Sequence, residues 1–338
     1  MRRSLTAGVA ALVLIAAGCA TDGDDPPATV DPRVADEPAT GTPGRAADPD
    51  TAAPEPTDPS CDDQPCYADV VHLGLLTSDV VEQVSGMSAS HRDPGLFYVV
   101  SDVPGTSKVA VVEENGTLVA HIEIEGMSAR DAEALAVGPC AAGTAETCLF
   151  IGDIGNHVGL EDLFVYRIVE PDLADPPVSV PADRLRYTYP DAPTDAEAMV
   201  VDDVGRPLII SKAAFDSGSG STGPTRLYRG PAEGGVLEDL GAIELPAPVS
   251  GVFAALVGHV VTGADAHAGG VLLRTYDEVY EYRTDDPDAD IATFPTWRMR
   301  GVPAPFQVQS ETIAYRVDDC GFITTSELTG SVDAVTCR

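Results

Sequence analysis

Asp131-Ala132-Glu133-Ala134-Leu135-Ala136-Val137, followed after a turn by Leu149-Phe150-Ile151-Gly152-Asp153, is a small acidic start, an apolar run, a break and a second apolar run with a polar end. The same unit returns as Asp195-Ala196-Glu197-Ala198-Met199-Val200-Val201 with Leu208-Ile209-Ile210-Ser211-Lys212. Looser copies are Ser85-Gly86-Met87-Ser88-Ala89 with Leu96–Asp102, Thr262-Gly263-Ala264-Asp265-Ala266 with Val271–Tyr276, and Ser310-Glu311-Thr312-Ile313-Ala314-Tyr315 with Gly321–Glu327. One or two further strand-like runs follow each copy. Lys108–Glu113 and Leu118–Ile124, for example, are joined by Asn115-Gly116, a hairpin turn signal.

Four short antiparallel strands per unit, repeated with turns, predict an all-β chain folded as a β-propeller. The 32 glycines and 28 prolines fit many turns and few long helices. Five copies predict five blades. An extra apolar run, Val252–Val261, makes six the alternative. The fifth copy is one strand short, with Val332–Thr336 as its third, and Ala68–Leu75 is placed to supply its outer strand. The ring then closes with N- and C-terminal strands in one blade.

First strands of blades line the axis, so equivalent repeat positions converge there. This gathers Glu133, Glu197 and Glu311, with Asp265 as the fourth-copy candidate, and Asp102, Asp153, Lys212 and Glu327 from the second strands. Converging carboxylates raise one another's pKa or recruit a cation, and an all-oxygen set suits Ca²⁺. The candidate metal ligands are Glu133, Glu197, Glu311, Asp153 and Asp102. The structural alternative has each repeat Glu accepting backbone N–H groups of the next blade. In Gly152-Asp153-Ile154-Gly155-Asn156-His157, Asp153 or His157 is the candidate catalytic base. Arg274, in Arg274-Thr275-Tyr276-Asp277, is a candidate counter-charge or anion ligand. No Gly-x-Ser-x-Gly elbow is present, so an α/β-hydrolase triad is not indicated.

Met1-Arg2-Arg3, the short apolar run Leu5–Ala17 and Ala16-Ala17-Gly18-Cys19 read as an export signal over residues 1–18. The small residues before Cys19 resemble a bacterial lipobox, which implies lipidation of Cys19 and a place on the outer face of the cytoplasmic membrane. Residues 19–60, with nine prolines from Ala20 to Ser60 and few large apolar side chains, read as an acidic, disordered tether. The folded domain is then 61–338. The remaining cysteines pair by proximity as Cys61–Cys66, Cys140–Cys148 and Cys320–Cys337, and an exported protein retains such disulfides. Scattered histidines and the absence of CxxC argue against zinc. A formal charge of −34, with 54 acids against 20 bases and only two lysines, excludes nucleic acid and any lipid contact beyond the anchor.

The Asp131–Val137 unit with Gly152–Asn156, Thr262–Asp265, Leu273–Asp277 and Glu311–Tyr315 resembles an uncharacterised family of exported bacterial β-propeller proteins. More loosely, the Glu-Ala-Leu-Ala-Val pattern is similar to phytase-like and lactonase-like propellers. That likeness implies Ca²⁺ binding and hydrolysis of phosphoesters or lactones, with Glu133, Glu197 and Asp153 at the acidic positions. A phytase's basic phosphate cluster has no counterpart here. The expected function is therefore a cell-envelope binding or scaffolding module for a protein, glycan or small-molecule ligand. A divalent-cation-dependent hydrolase using the channel carboxylates is the alternative.

Overall fold

The computed structural model describes residues 66–156, 159–213, 215–216, 221–248 and 259–337. The expectations for residues 1–18, the tether, Cys19, Cys61 and His157 fall outside them. Five antiparallel sheets are arranged as a five-bladed β-propeller. Their first strands are Val84–Ala89, Ala132–Pro139, Ala196–Val201, Val261–His267 and Ser310–Tyr315, for blades I to V. Each first strand touches the next, and the fifth touches the first, so the ring closes. No helix among the described residues is long and apolar enough to cross a membrane.

Blade V has the shared composition read from the repeat. Its strands Phe322–Ser326 and Ser331–Cys337 come from the end of the chain, and Tyr67–Leu75 supplies the outer edge, antiparallel with Val71 opposite Ala334. Val261, the end of the run that made six blades the alternative, opens the first strand of blade IV. Two blades also borrow an edge from their successor. Ser179–Pro181, from a blade II connection, pairs in parallel with blade I, and Gly235–Val236, from blade III, pairs in parallel with blade II. Covering an outer edge in this way removes exposed N–H and C=O groups that would otherwise template aggregation.

The strands are apolar on both faces because each sheet packs against two neighbours. Tyr98, Ile122 and Ile124 meet Leu135, Ile151 and Tyr166 between blades I and II. Phe150 and Tyr187 meet Met199 and Ile209 between II and III, and Leu208 and Ile210 meet Leu273 and Tyr282 between III and IV. Leu272 and Val279 meet Ile313 and Phe322 between IV and V, and Ala314 and Ile323 meet Phe97 and Val99 across the closure. Cys140–Cys148 clips the first hairpin of blade II, and Cys320–Cys337 ties the last strand to the turn before its neighbour. Both are pairs expected from proximity. Glu281, fully buried in blade IV, accepts from Tyr67 Oη at 2.8 Å and Tyr315 Oη at 3.1 Å, and pairs with Arg283 and Arg300. This cluster fastens the N-terminal strand to the blade before it.

Candidate functional site

One backbone irregularity, repeated five times, builds the site. In every blade the ladder between first and second strands slips by one residue at its start. The slips fall between Val84 and Gly86, Ala132 and Ala134, Ala196 and Ala198, Val261 and Gly263, and Ser310 and Thr312. The unpaired residues are therefore Ser85, Glu133, Glu197, Thr262 and Glu311. A β-bulge re-aims the side chain of its extra residue. The three repeat glutamates are acidic bulge residues on one ring. The fourth-blade counterpart is Thr262, not Asp265, and its hydroxyl donates to the Ser310 carbonyl at 2.7 Å. Asp265 lies three residues further on, buried, and accepts the Tyr315 N–H at 2.7 Å.

Ser85, Glu133, Glu197 and Glu311 form the bottom of a cup of about 240 Å³. Its wall carries Asp102, Lys212, Tyr276 and Glu327, each just after a second strand, and Asp131, Asp195 and Gln309, each two residues before a bulge. Below the glutamates the axis is shut. A Cβ added to Gly86 would lie 2.9 Å from the Ala134 carbonyl carbon, and one on Gly263 would lie 2.9 Å from the Glu311 oxygen. The void left there is about 10 Å³, no more than a single water needs. The expected channel is a blind cup.

Asp153 does not reach this cup, against the expectation that aligned it with Asp102, Lys212 and Glu327. It pairs with Ala132, in the register place taken by Ser101, Ser211, Thr275 and Ser326 in the other blades. The alignment was one residue out, and a one-residue offset turns a strand side chain to the opposite face. Asp153 is buried and accepts the backbone N–H groups of Arg130 and Asp131 at 2.8 and 2.9 Å, so it orders the approach to the bulge. The cup position of blade II falls instead to Gly155, whose N–H donates to the Asp131 carbonyl as that of Lys212 does to Asp195. A Cβ at Gly155 would sit 2.5 Å from the Asp131 carboxyl and 2.6 Å from Glu133 Oε1. Glycine there leaves room for two carboxylates. Asn156, next along, donates its N–H to Asp195 and bonds Leu160 in both directions. Arg274 is also absent from the cup. It is fully buried, with Nη2 donating to the Pro305 carbonyl at 3.0 Å, while its neighbour Tyr276 lines the wall.

The cup sets seven carboxylates against one ammonium. Lys212 pairs with Glu197 and lies 3.2 Å from the Tyr276 hydroxyl. Burial opposes its charge, but Glu197, Tyr276 and Glu311 outweigh that and raise its pKa. Glu133 accepts from the Ser85 hydroxyl of the preceding blade, and burial together with Glu197 pushes its pKa well up. Burial pushes Glu311 up to about 8, and burial with Glu327 and Asp131 pushes Asp102 up to about 7. None of the three glutamates accepts a backbone N–H of an adjacent blade among the described residues; the bond across a blade boundary that Glu133 does accept comes from the Ser85 hydroxyl. Glu311 is 5% exposed, and its Oε2 has no hydrogen-bond partner among the described residues; the same holds for Glu197 Oε2 and Asp102 Oδ1. Buried acceptors left this way cost free energy that a cation or a proton recovers.

Asp102, Asp131 and Glu133 bring one oxygen each within 4.8 Å of one another, the only such metal-competent group among the described residues. Two of the three were sequence candidates. Asp131 was passed over although it opens the repeat, as does Asp195. Their signal was the Asp-Ala-Glu spacing, which places an acid on each side of the bulge.

No protein-family model and no curated protein matches this sequence. Solved structures do match in chain path. Glutaminyl cyclase of Myxococcus xanthus is 10% identical, with 81% of this chain and 96% of that one covered at a TM-score of 0.41. A putative oxidoreductase (glucose dehydrogenase) of Thermus thermophilus is 9% identical, with 79% and 99% covered at 0.43. The β-propeller domain of Cps50 (Swd1) from Myceliophthora thermophila is 10% identical, with 81% and 100% covered at 0.36. At these values the chain is similar to them in strand arrangement alone.

Proposed function

We propose that this protein is a cell-envelope binding module whose acidic cup holds a divalent cation of the Ca²⁺ class. The observation that carries the reading is Glu311, a buried carboxylate whose Oε2 has no hydrogen-bond partner among the described residues, in the same cup as the Asp102, Asp131 and Glu133 oxygens. Oxygens on opposite sides of a bound Ca²⁺ are about 4.6–5.2 Å apart, given Ca–O distances of 2.3–2.6 Å. The three oxygens lie within 4.8 Å of one another, close enough to share one such ion. The donors are all hard oxygens, which disfavours zinc and copper. Export, a lipid on Cys19 and the acidic tether of residues 19–60 are the sequence's contribution, and they put the domain outside the membrane, where Ca²⁺ is plentiful.

The test is metal analysis of the purified protein followed by Ca²⁺ titration in a calorimeter. About one Ca²⁺ per chain is expected, with affinity at least tenfold lower in Asp131→Asn. No heat and no retained metal would defeat the reading.

The hydrolase remains a second reading because the cup is larger than an ion and holds Lys212 and Tyr276 beside the carboxylates. A bound cation would polarise a phosphoester or lactone there and activate water. Metal-dependent turnover that disappears in Glu133→Gln would promote this reading over simple binding.

A further inference from the structure

The opposite ends of the same inner strands surround a second cavity, about 680 Å³, well within the range of small-molecule sites. The apolar part of its wall is Val137 from blade II, Val201 from III, and Ile291 and Trp297 from IV. Trp297 caps the short 3-10 helix Ile291–Thr296, and its indole N–H donates to Thr293 Oγ1 at 3.1 Å, which fixes the ring. His91 from blade I and His267 from blade IV also line it, with ring centroids 6.0 Å apart. Burial lowers both imidazole pKa values, so both are neutral near pH 7.

The exposed charge at this cavity's edge is negative. Asp203, Asp285 and Asp286 are exposed there, and among the described residues no lysine or arginine lines it. The arginines nearby are already engaged. Arg206 pairs with Asp202 at 2.6 Å, and Arg283 pairs with Glu281 and donates to the Ala268 carbonyl. An aromatic face, aliphatic walls and unneutralised carboxylates together attract a cation with an apolar body, through burial, cation–π contact and Coulomb attraction.

We infer that this far mouth is a binding site for a small amphipathic organic cation, an amine or amidine carried on an aromatic or aliphatic body. The site is separate from the acidic cup. The two lie at opposite ends of strands in which Val137 is four positions beyond Glu133, roughly 13 Å at strand rise.

Trp297 is the only tryptophan in the chain, so its emission reports on this cavity. The experiment titrates the full chain, in EDTA to keep metal out of both sites, with benzamidine and with its neutral counterpart benzamide. A saturable change in Trp297 emission is expected with benzamidine. Affinity should be at least tenfold weaker for benzamide, tenfold weaker in Asp285→Asn/Asp286→Asn, and weaker again at high salt. Because the two aspartates are exposed, the double variant should fold normally, and its unchanged melting temperature verifies this. Equal affinity for benzamide, no saturable change with benzamidine, or full affinity in the folded double variant would each overturn the inference.

Discussion

The two ends of the inner-strand ring share five strands and little else. At one end a bulge in every blade turns a single residue toward the axis, and three of those residues are glutamates. The outcome is a blind, acidic cup in which Glu311 Oε2, Glu197 Oε2 and Asp102 Oδ1 have no hydrogen-bond donor among the described residues. At the other end the strands run out into loops of unequal length, and the cavity is nearly three times as large and lined by apolar side chains, two histidines and acidic side chains. That end also has a buried carboxylate, but a satisfied one. Glu170, 1% exposed, accepts from Ser90 Oγ at 2.8 Å, His91 N at 2.9 Å and Thr147 Oγ1 at 2.5 Å, and so fastens blade I to blade II. Burial alone does not mark a ligand site. A buried acid with donors holds blades together, and a buried acid without them awaits a cation or a proton.

Removing each kind of acid tests this contrast most strongly. Glu170→Ala orphans several buried donors and should destabilise by about 3–5 kcal/mol in chemical denaturation. A loss under 1 kcal/mol would erase the distinction. Ca²⁺ should act only through the cup. At one hundred times its dissociation constant it should stabilise by about 2.7 kcal/mol, and the gain should vanish in Asp131→Asn. Calorimetric melting with Ca²⁺ and with EDTA measures it.

Titration sharpens the comparison further. Glu311 and Asp102 have folded pKa values raised to about 8 and about 7, above those of exposed carboxyls. The folded protein therefore holds these protons more tightly than the unfolded chain. Their contribution is fully present below about pH 4 and is lost as pH rises toward 8. Without metal, melting temperature should fall across that window, and Glu311→Gln should flatten the fall and stabilise by about 1 kcal/mol above pH 8. A steeper fall in the variant would contradict the assignment. The smallest effect belongs to the far mouth. Asp285→Asn should change stability by less than about 0.5 kcal/mol at any pH, since that side chain stays in water.

Much of the ring was legible because a propeller repeats its local chemistry. The Asp-Ala-Glu-Ala units located Glu133 and Glu197, Ser310-Glu311 located the third acid, and the missing fifth-blade strand pointed to Tyr67–Leu75. The errors came from register. Asp153 looks equivalent to Asp102 in the sequence, but the inserted Ile154 shifts the count by one and hands the cup position to Gly155. Glu170 and Glu281 gave no signal at all, because their donors come from segments up to 214 residues away. Trp297 gave no signal either, since nothing local shows that a 3-10 turn carries it to the far mouth.

The amino-acid order by itself determined that short strands recur five times, that acids recur at one place in them, and that cysteines close in neighbouring pairs. Apolar runs and turn chemistry are local, so they survive in one dimension. Only the tertiary structure decided which acids face one another, which are satisfied, that the axis is shut beneath them, and that a second cavity lies at the other end. Those properties depend on distances between blades, and packing sets such distances only after the ring has closed.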